Sequence, residues 1–228
     1  MDFKKYEEQL CKSIEKEVDK IIKSKLHLNI RARSRAGAEI SDYLEEQFVL
    51  AVNNNNDPYL SDGVQAPRGS TKNPFDAMCF FDFMGRKEVI WIDFKAFKTT
   101  SLNSNPDIGT PKKVIRFINE GNFYLVFVLA YYEEDGDGLK FVENNGKYTK
   151  VYPLKDVNRT FRLNPKPQLQ VNMSAEPEYR TREEFIKLLI QKHRESYDRN
   201  IKALNEKIDK LDDVYTQLIN TNRESEKR

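Results

Sequence analysis

Cysteine and histidine are scarce in this sequence, two of each in 228 residues, and their scarcity removes whole classes of chemistry. Cys11 and Cys79 stand far apart and neither belongs to a Cys-x-x-Cys pair, so neither a zinc ribbon nor a disulfide framework is supported. His27 and His193 are equally isolated, whereas zinc hydrolases and His-based nucleases need a histidine cluster or a positioned histidine base. There is no G-x-x-x-x-G-K-[ST] loop and no G-x-G-x-x-G, so neither ATP nor NAD is expected as a cofactor. No apolar run approaches the roughly 20 residues that cross a bilayer, and the charged segment Met1 to Lys12 does not read as a secretion signal. No membrane partner is expected, and the protein is expected in the cytoplasm. What the chain has instead is charge: 32% of its residues are charged, with a net charge of only +2. The positive charge is uneven, because Lys20 to Ala38 holds six Lys or Arg residues and no acid.

Hydrophobic periodicity divides the chain into helix, sheet and helix within one expected domain. From Asp2 to about Ser24, Phe3, Leu10, Ile14, Val18 and Ile21 recur at helical spacing among Lys and Glu. A second helix is predicted over Ala36 to Val52, with Ile40, Tyr43, Leu44, Gln47, Phe48 and Ala51 on one side, followed by a long loop to about Asn73. A sheet core is expected over about 74–175. Its first two strands, Ala77 to Met84 and Val89 to Phe97, are joined at Gly85-Arg86-Lys87. After a polar loop and a short helix at Lys112 to Asn119, Phe123 to Tyr132 reads as a central strand buried on both faces. A hairpin is predicted over Leu139 to Tyr152 around Asn144-Asn145-Gly146, and an extended piece over Gln168 to Met173. Thr181-Arg182-Glu183-Glu184 has capping-box spacing and opens a helix reaching about residue 225. In it, Tyr197, Ile201, Leu204, Ile208, Leu211, Tyr215 and Leu218 form a heptad seam, which packs either against the N-terminal helix or against a second copy. The fold class is α/β (α+β): a mixed central sheet flanked by helices, with a long C-terminal helix.

The chemistry concentrates at Asp76 and at Trp91-Ile92-Asp93-Phe94-Lys95. Alternation puts Asp93, Lys95 and Phe97 on one face of a strand and Ile92, Phe94 and Ala96 on the other. An ionised pair within an apolar strand is costly to bury, and a second carboxylate across the hairpin makes a site suited to a divalent cation. Asp76, Asp93 and the Phe94 carbonyl would bind Mg2+, and Lys95 would orient or deprotonate an attacking water and stabilise a phosphorane. Glu39, at the start of the second helix, is the candidate third acid. A D-x-K match alone means little in so charged a chain, since Asp2-Phe3-Lys4 also fits, and a structural salt bridge is the plainer reading. Gln168, Gln170 and Asn172 share one face of an extended segment, and carboxamides pair bidentately with adenine, although a solvated edge strand looks the same. Arg31, Arg33, Arg35, Arg68 and Lys72 are candidates for phosphate contacts.

Several stretches are more specific than D-x-K: Gly37 to Phe48, Thr71 to Ala77, Ile90 to Lys98, Ser104 to Pro111, Glu120 to Leu129, Asn164 to Gln168 and Tyr179 to Phe185. In these the chain resembles the SwaI family of type II restriction endonucleases, which have a PD-(D/E)XK core. The resemblance implies a Mg2+-dependent homodimer, with Mn2+ able to substitute, that cuts both strands of duplex DNA at an AT-only palindrome, ATTTAAAT-like, to blunt ends. It further implies a companion DNA methyltransferase that is not a stable subunit. By motif, Asp76, Asp93 and Lys95 would be catalytic. The first motif here reads Pro-Phe-Asp, so only its acid matches. A structure-selective repair or recombination nuclease, and a non-catalytic dimeric DNA-binding protein, are the competing readings.

Overall fold

Strand alternation in the middle of the chain sorts apolar side chains onto two faces of one sheet, and helices close over both. The structure is a computed structural model and describes residues 2–31, 36–54, 57–66, 75–101, 104–121, 123–164, 168–172 and 174–225. In chain order its elements are α1 (Phe3–Ser24), β1 (His27–Leu28), α2 (Ala36–Asn53), β2 (Leu60–Gln65), β3 (Ala77–Phe83), β4 (Arg86–Lys98), α3 (Pro111–Asn119), β5 (Tyr124–Asp135), β6 (Gly138–Phe141), β7 (Thr149–Pro153), β8 (Arg162–Leu163), β9 (Leu169–Gln170) and α4 (Arg182–Ser225). The main sheet runs β1-β6-β5-β4-β3-β2, with β7 also on β5, and β8 pairs with β9 in a small second sheet. Only β4 and β5 are parallel, joined through α3, so the sheet is mixed as expected. No helix among the described residues is long and apolar enough to cross a membrane.

On β5, Tyr124, Val126, Val128 and Ala130 face a layer made by Tyr6, Leu10, Ile14 and Val18 of α1 and Ile40, Leu44, Phe48 and Val52 of α2. Leu125, Phe127 and Leu129 face the opposite layer, with Val114 and Phe117 of α3, Leu163, Leu169 and Phe185 and Leu189 of α4. The first eight residues of β5 are all buried, as the unbroken apolar run predicted. The β3–β4 turn is Met84-Gly85, both at positive φ (53° and 74°), the two-residue geometry whose twist matches that of the flanking strands.

Two expectations need correction. The long loop to Asn73 contains β2, which pairs antiparallel with β3 through a register shift between Ser61 and Val64. Asp62-Gly63 reads locally as a turn but here supplies an irregularity in an edge strand, with Asp62 at φ 53°. The turn at Asn144-Asn145-Gly146 forms, with Asn144 bridging Lys147, but its flanking strands do not pair with each other. β6 and β7 both add to β5, at residues 132–135 and 126–130 respectively, because the long central strand offers more edge than either short strand covers.

Candidate active site

β4 extends beyond its neighbour β3, and that overhang builds the site. The β3–β4 ladder ends at Ala77 opposite Ile92. One step further, the Asp76 backbone N–H donates to the Ile92 carbonyl at 2.8 Å, and its side-chain Oδ2 accepts the Phe94 N–H at 2.8 Å. Asp76 therefore satisfies a donor that the shorter strand leaves unmatched, and its carboxylate is fixed beside β4.

On β4 the predicted alternation holds: Lys95 Nζ meets Asp93 Oδ1 at 2.7 Å and lies 3.5 Å from the Phe94 carbonyl oxygen, whereas Ile92 and Phe94 pack into the α1–α2 layer. Asp93 is 8% exposed, and its second oxygen, Oδ2, is buried with no hydrogen-bond partner among the described residues. The end of β4 opens into a cavity of about 520 Å³ lined by Asp76, Phe94 and Lys95 on one side and by Gly37, Ala38, Ser41 and Asp42 of α2 on another. Gly37 eases this approach: a Cβ there would stand a tight 3.1 Å from the Ala96 carbonyl oxygen.

Charge is concentrated here without full compensation. Burial pushes the Asp93 carboxyl up to about 7, with Lys95 opposing and the neighbouring Asp76 charge adding to the shift. Burial also raises Asp76, against the attraction of Lys95 and the Phe94 N–H, and Asp42 raises it further. For Lys95, burial works to lower the pKa, but the Asp93 and Asp76 carboxylates outweigh it and hold the amine above its ordinary value. Lys95 is thus an ammonium at neutral pH, suited to stabilising negative charge and orienting a water.

Among the described residues, no group of three or more His, Cys, Asp and Glu side chains converges to hold a metal. The fit to Mg2+ rests on two carboxylates, the Phe94 carbonyl and the orphaned Asp93 Oδ2. That suits an ion which keeps several waters and commonly binds through one or two carboxylates plus substrate phosphate. Of the nearby acids, Asp76 and Asp42 line the cavity, whereas Glu39 and the buried Asp93, reached through Lys95, are not among its lining residues. The sequence pattern did not single out Asp42. Its one available signal was its place one helical turn beyond Ala38 on the face that Gly37 opens.

The carboxamide segment lies close by. Pro106 lines the cavity, and the next residue, Asp107, bridges Gln170 on β9, with Gln170 Nε2 donating to Asp107 Oδ1 at 2.9 Å. Gln168 Oε1 accepts from Asn164 Nδ2 at 3.1 Å, and Asn172 Oδ1 caps a turn by accepting the Ser174 N–H at 2.9 Å. Leu169 and Val171 are buried on the opposite side, as alternation predicted. Arg31 is exposed, and Arg33, Arg35, Arg68 and Lys72 lie outside the described residues.

Asp93 also makes a stability prediction. Unfolded, its carboxyl ionises near 3.8, and in the folded metal-free protein near 7, so stability falls as pH rises across that window and stays reduced above it. Asp93→Asn removes that loss and is expected to stabilise the metal-free protein at about pH 8 by ~1–3 kcal/mol, discounted for the lost Lys95 contact, with little gain at about pH 4. Urea unfolding in EDTA measures this, and a less stable variant at the higher pH would contradict it.

A comparison with curated proteins found no match. The family model for SwaI-like proteins, described as SwaI restriction endonuclease, matches residues 2–225. With nearly the whole length matched, and with paired carboxylates and a lysine at the end of a mixed-sheet strand, the chain belongs to the SwaI restriction endonuclease family and is a nuclease acting on DNA.

Proposed function

We propose that two copies of the chain cleave both strands of duplex DNA at an AT-rich palindrome, ATTTAAAT-like, leaving blunt ends. The observation that carries the reading is the Asp76–Asp93–Lys95 cluster at the open end of β4, with one buried carboxylate oxygen that has no partner among the described residues. Mg2+, or Mn2+ in its place, would be held by Asp76, Asp93 and the Phe94 carbonyl, and when bound would supply positive charge to the scissile phosphate and acidify water. For a further acid from α2, Asp42, which lines the cavity, stands beside Glu39 as a candidate for an outer, water-mediated contact to the ion, since no three acids among the described residues converge on it directly. Lys95, held as an ammonium, donates hydrogen bonds to the attacking water or to a non-bridging phosphate oxygen and offsets charge as it builds there. A palindrome cut on both strands calls for one site per strand, hence a homodimer. A companion methyltransferase and a cytoplasmic setting complete the reading.

Arg31, Arg33, Arg35, Arg68 and Lys72 are proposed to meet phosphates, and Gln168, Gln170 and Asn172 to face bases. Asp107 orients the Gln170 amide by accepting from its Nε2, and the amide's carbonyl oxygen would accept from adenine N6. Gln170→Ala is expected to reduce discrimination against a mismatched A·T position by about 10- to 100-fold, the worth of one bidentate pair. Cleavage of a panel of single-mismatch sites measures it, and unchanged preference would remove Gln170 from base readout. The overall proposal is tested by incubating plasmid carrying ATTTAAAT with protein in Mg2+ or in EDTA. Discrete blunt fragments in Mg2+ alone are expected, whereas no metal-dependent cutting would refute it.

A further inference from the structure

α4 is rooted in the body only by its first part. Phe185 and Leu189 are buried in the second apolar layer, Ser196 is buried, and Arg199 Nη2 donates to the Leu163 carbonyl at 2.8 Å. From residue 200 to residue 218 every residue is exposed. The helix continues to Ser225, a free length of roughly 40 Å at the rise of an α-helix. Ile201, Leu204, Ile208, Leu211, Tyr215 and Leu218 are each more than half exposed along this length, on one stripe. The described part of α1 does not cover them, which excludes that part as the partner. In proteins, most of the stability of an amphipathic helix comes from packing its apolar face, which this stripe lacks within the described residues of the chain.

The order of residues in the stripe names the partner. In heptad notation Ile201, Ile208 and Tyr215 fall at a, and Tyr197, Leu204, Leu211 and Leu218 at d. Within parallel coiled coils, Ile at a with Leu at d favours two strands over three or four. Flanking positions agree. In a parallel pair each g residue meets the e residue of the next heptad on the other helix, which sets Lys207 against Asp212, Asn200 against Asn205, and Val214 against Ile219. Every one of these pairs is complementary. An antiparallel pair with the same overlap would set g against g, and so Lys207 against the second copy's Lys207.

We propose that the α4 stripe from Tyr197 to Leu218 is a dimerisation arm that pairs with the same stripe of a second copy as a parallel two-stranded coiled coil. This rests on the two-copy part of the proposed function and gives that dimer its surface and orientation. The two-fold axis then runs along the arm, and both catalytic sheets sit at its same end.

Sedimentation of the full chain without DNA or metal is expected to give a dimer at micromolar concentration. Leu204→Asp with Leu211→Asp should give a monomer whose body remains folded by near-ultraviolet circular dichroism. Lys207→Asp should weaken the dimer several-fold, and adding Asp212→Lys should restore it. Leu204→Cys and Leu218→Cys, made separately, should each form a disulfide-linked dimer on mild oxidation, as equivalent d positions meet in parallel strands. A monomeric wild-type chain would overturn the proposal and leave the stripe to a different partner. A dimer that neither cysteine links would overturn the parallel arrangement. Because the readout is mass, a monomer that still cuts plasmid refutes the arm alone, and a dimer that does not cut refutes the nuclease reading alone.

Discussion

Lys95→Ala is expected to slow plasmid cleavage by about 1,000-fold or more, with DNA binding retained in Ca2+, because it removes a charge positioned where negative charge develops. Two observations set the size of the effect. The amine is held 2.7 Å from Asp93 and above its ordinary pKa, so it is charged and fixed before substrate arrives. The surroundings are also partly desolvated, which makes a fixed charge worth more than it is in water. Asp93→Ala should be as damaging, through loss of the buried carboxylate that pairs with that amine. Lys95→Arg should not rescue, since a planar guanidinium cannot occupy the position of a compact ammonium between β4 and the Asp93 carboxylate. Rates within tenfold of wild type for Lys95→Ala, at matched folding and binding, would remove Lys95 from the chemistry.

Much of this site was legible because its signals are local. The face shared by Asp93 and Lys95 follows from a period of two, and β5 was readable because ten apolar residues in a row have few other uses. What was missed depends on contacts distant in sequence. That Asp42, and not Glu45 or Glu46, lines the cavity is visible only once α2 is packed against the Ala96 carbonyl. The involvement of Asp107 with Gln170 joins residues 63 positions apart, and nothing in either segment announces the other. β2 was hidden because Asp-Gly signals a turn, and only pairing with β3 makes it a strand irregularity. The heptad seam was plain, but its freedom from α1 could be seen only once α4 was placed.

The body also depends on one buried cation outside the cavity lining. Lys155, 2% exposed and just after β7, lies 2.8 Å from Glu7 of α1 and 2.7 Å from Asp156, donates to the Arg180 carbonyl at 2.6 Å, and sits over the Tyr179 ring at 4.2 Å. It thus ties α1, the end of the sheet and the segment leading into α4 to one point. Burial raises the pKa of both Glu7 and Asp156, and Lys155 is among the groups that oppose that rise. Lys155→Met is therefore expected to destabilise the protein by about 3–5 kcal/mol, the cost of leaving buried carboxylates without their partner. The loss should grow with pH. Removing the cation raises both carboxyl pKa values further in the folded state, so the window over which stability falls with rising pH extends upward. Adding Glu7→Gln should recover part of the loss, since one buried charge is then gone while Asp156 keeps the Arg180 N–H at 2.8 Å. Urea unfolding of the three proteins at about pH 5 and about pH 8 measures both effects. A Lys155→Met variant as stable as wild type at the higher pH would show that this cluster does not hold α1 and the root of α4 to the sheet.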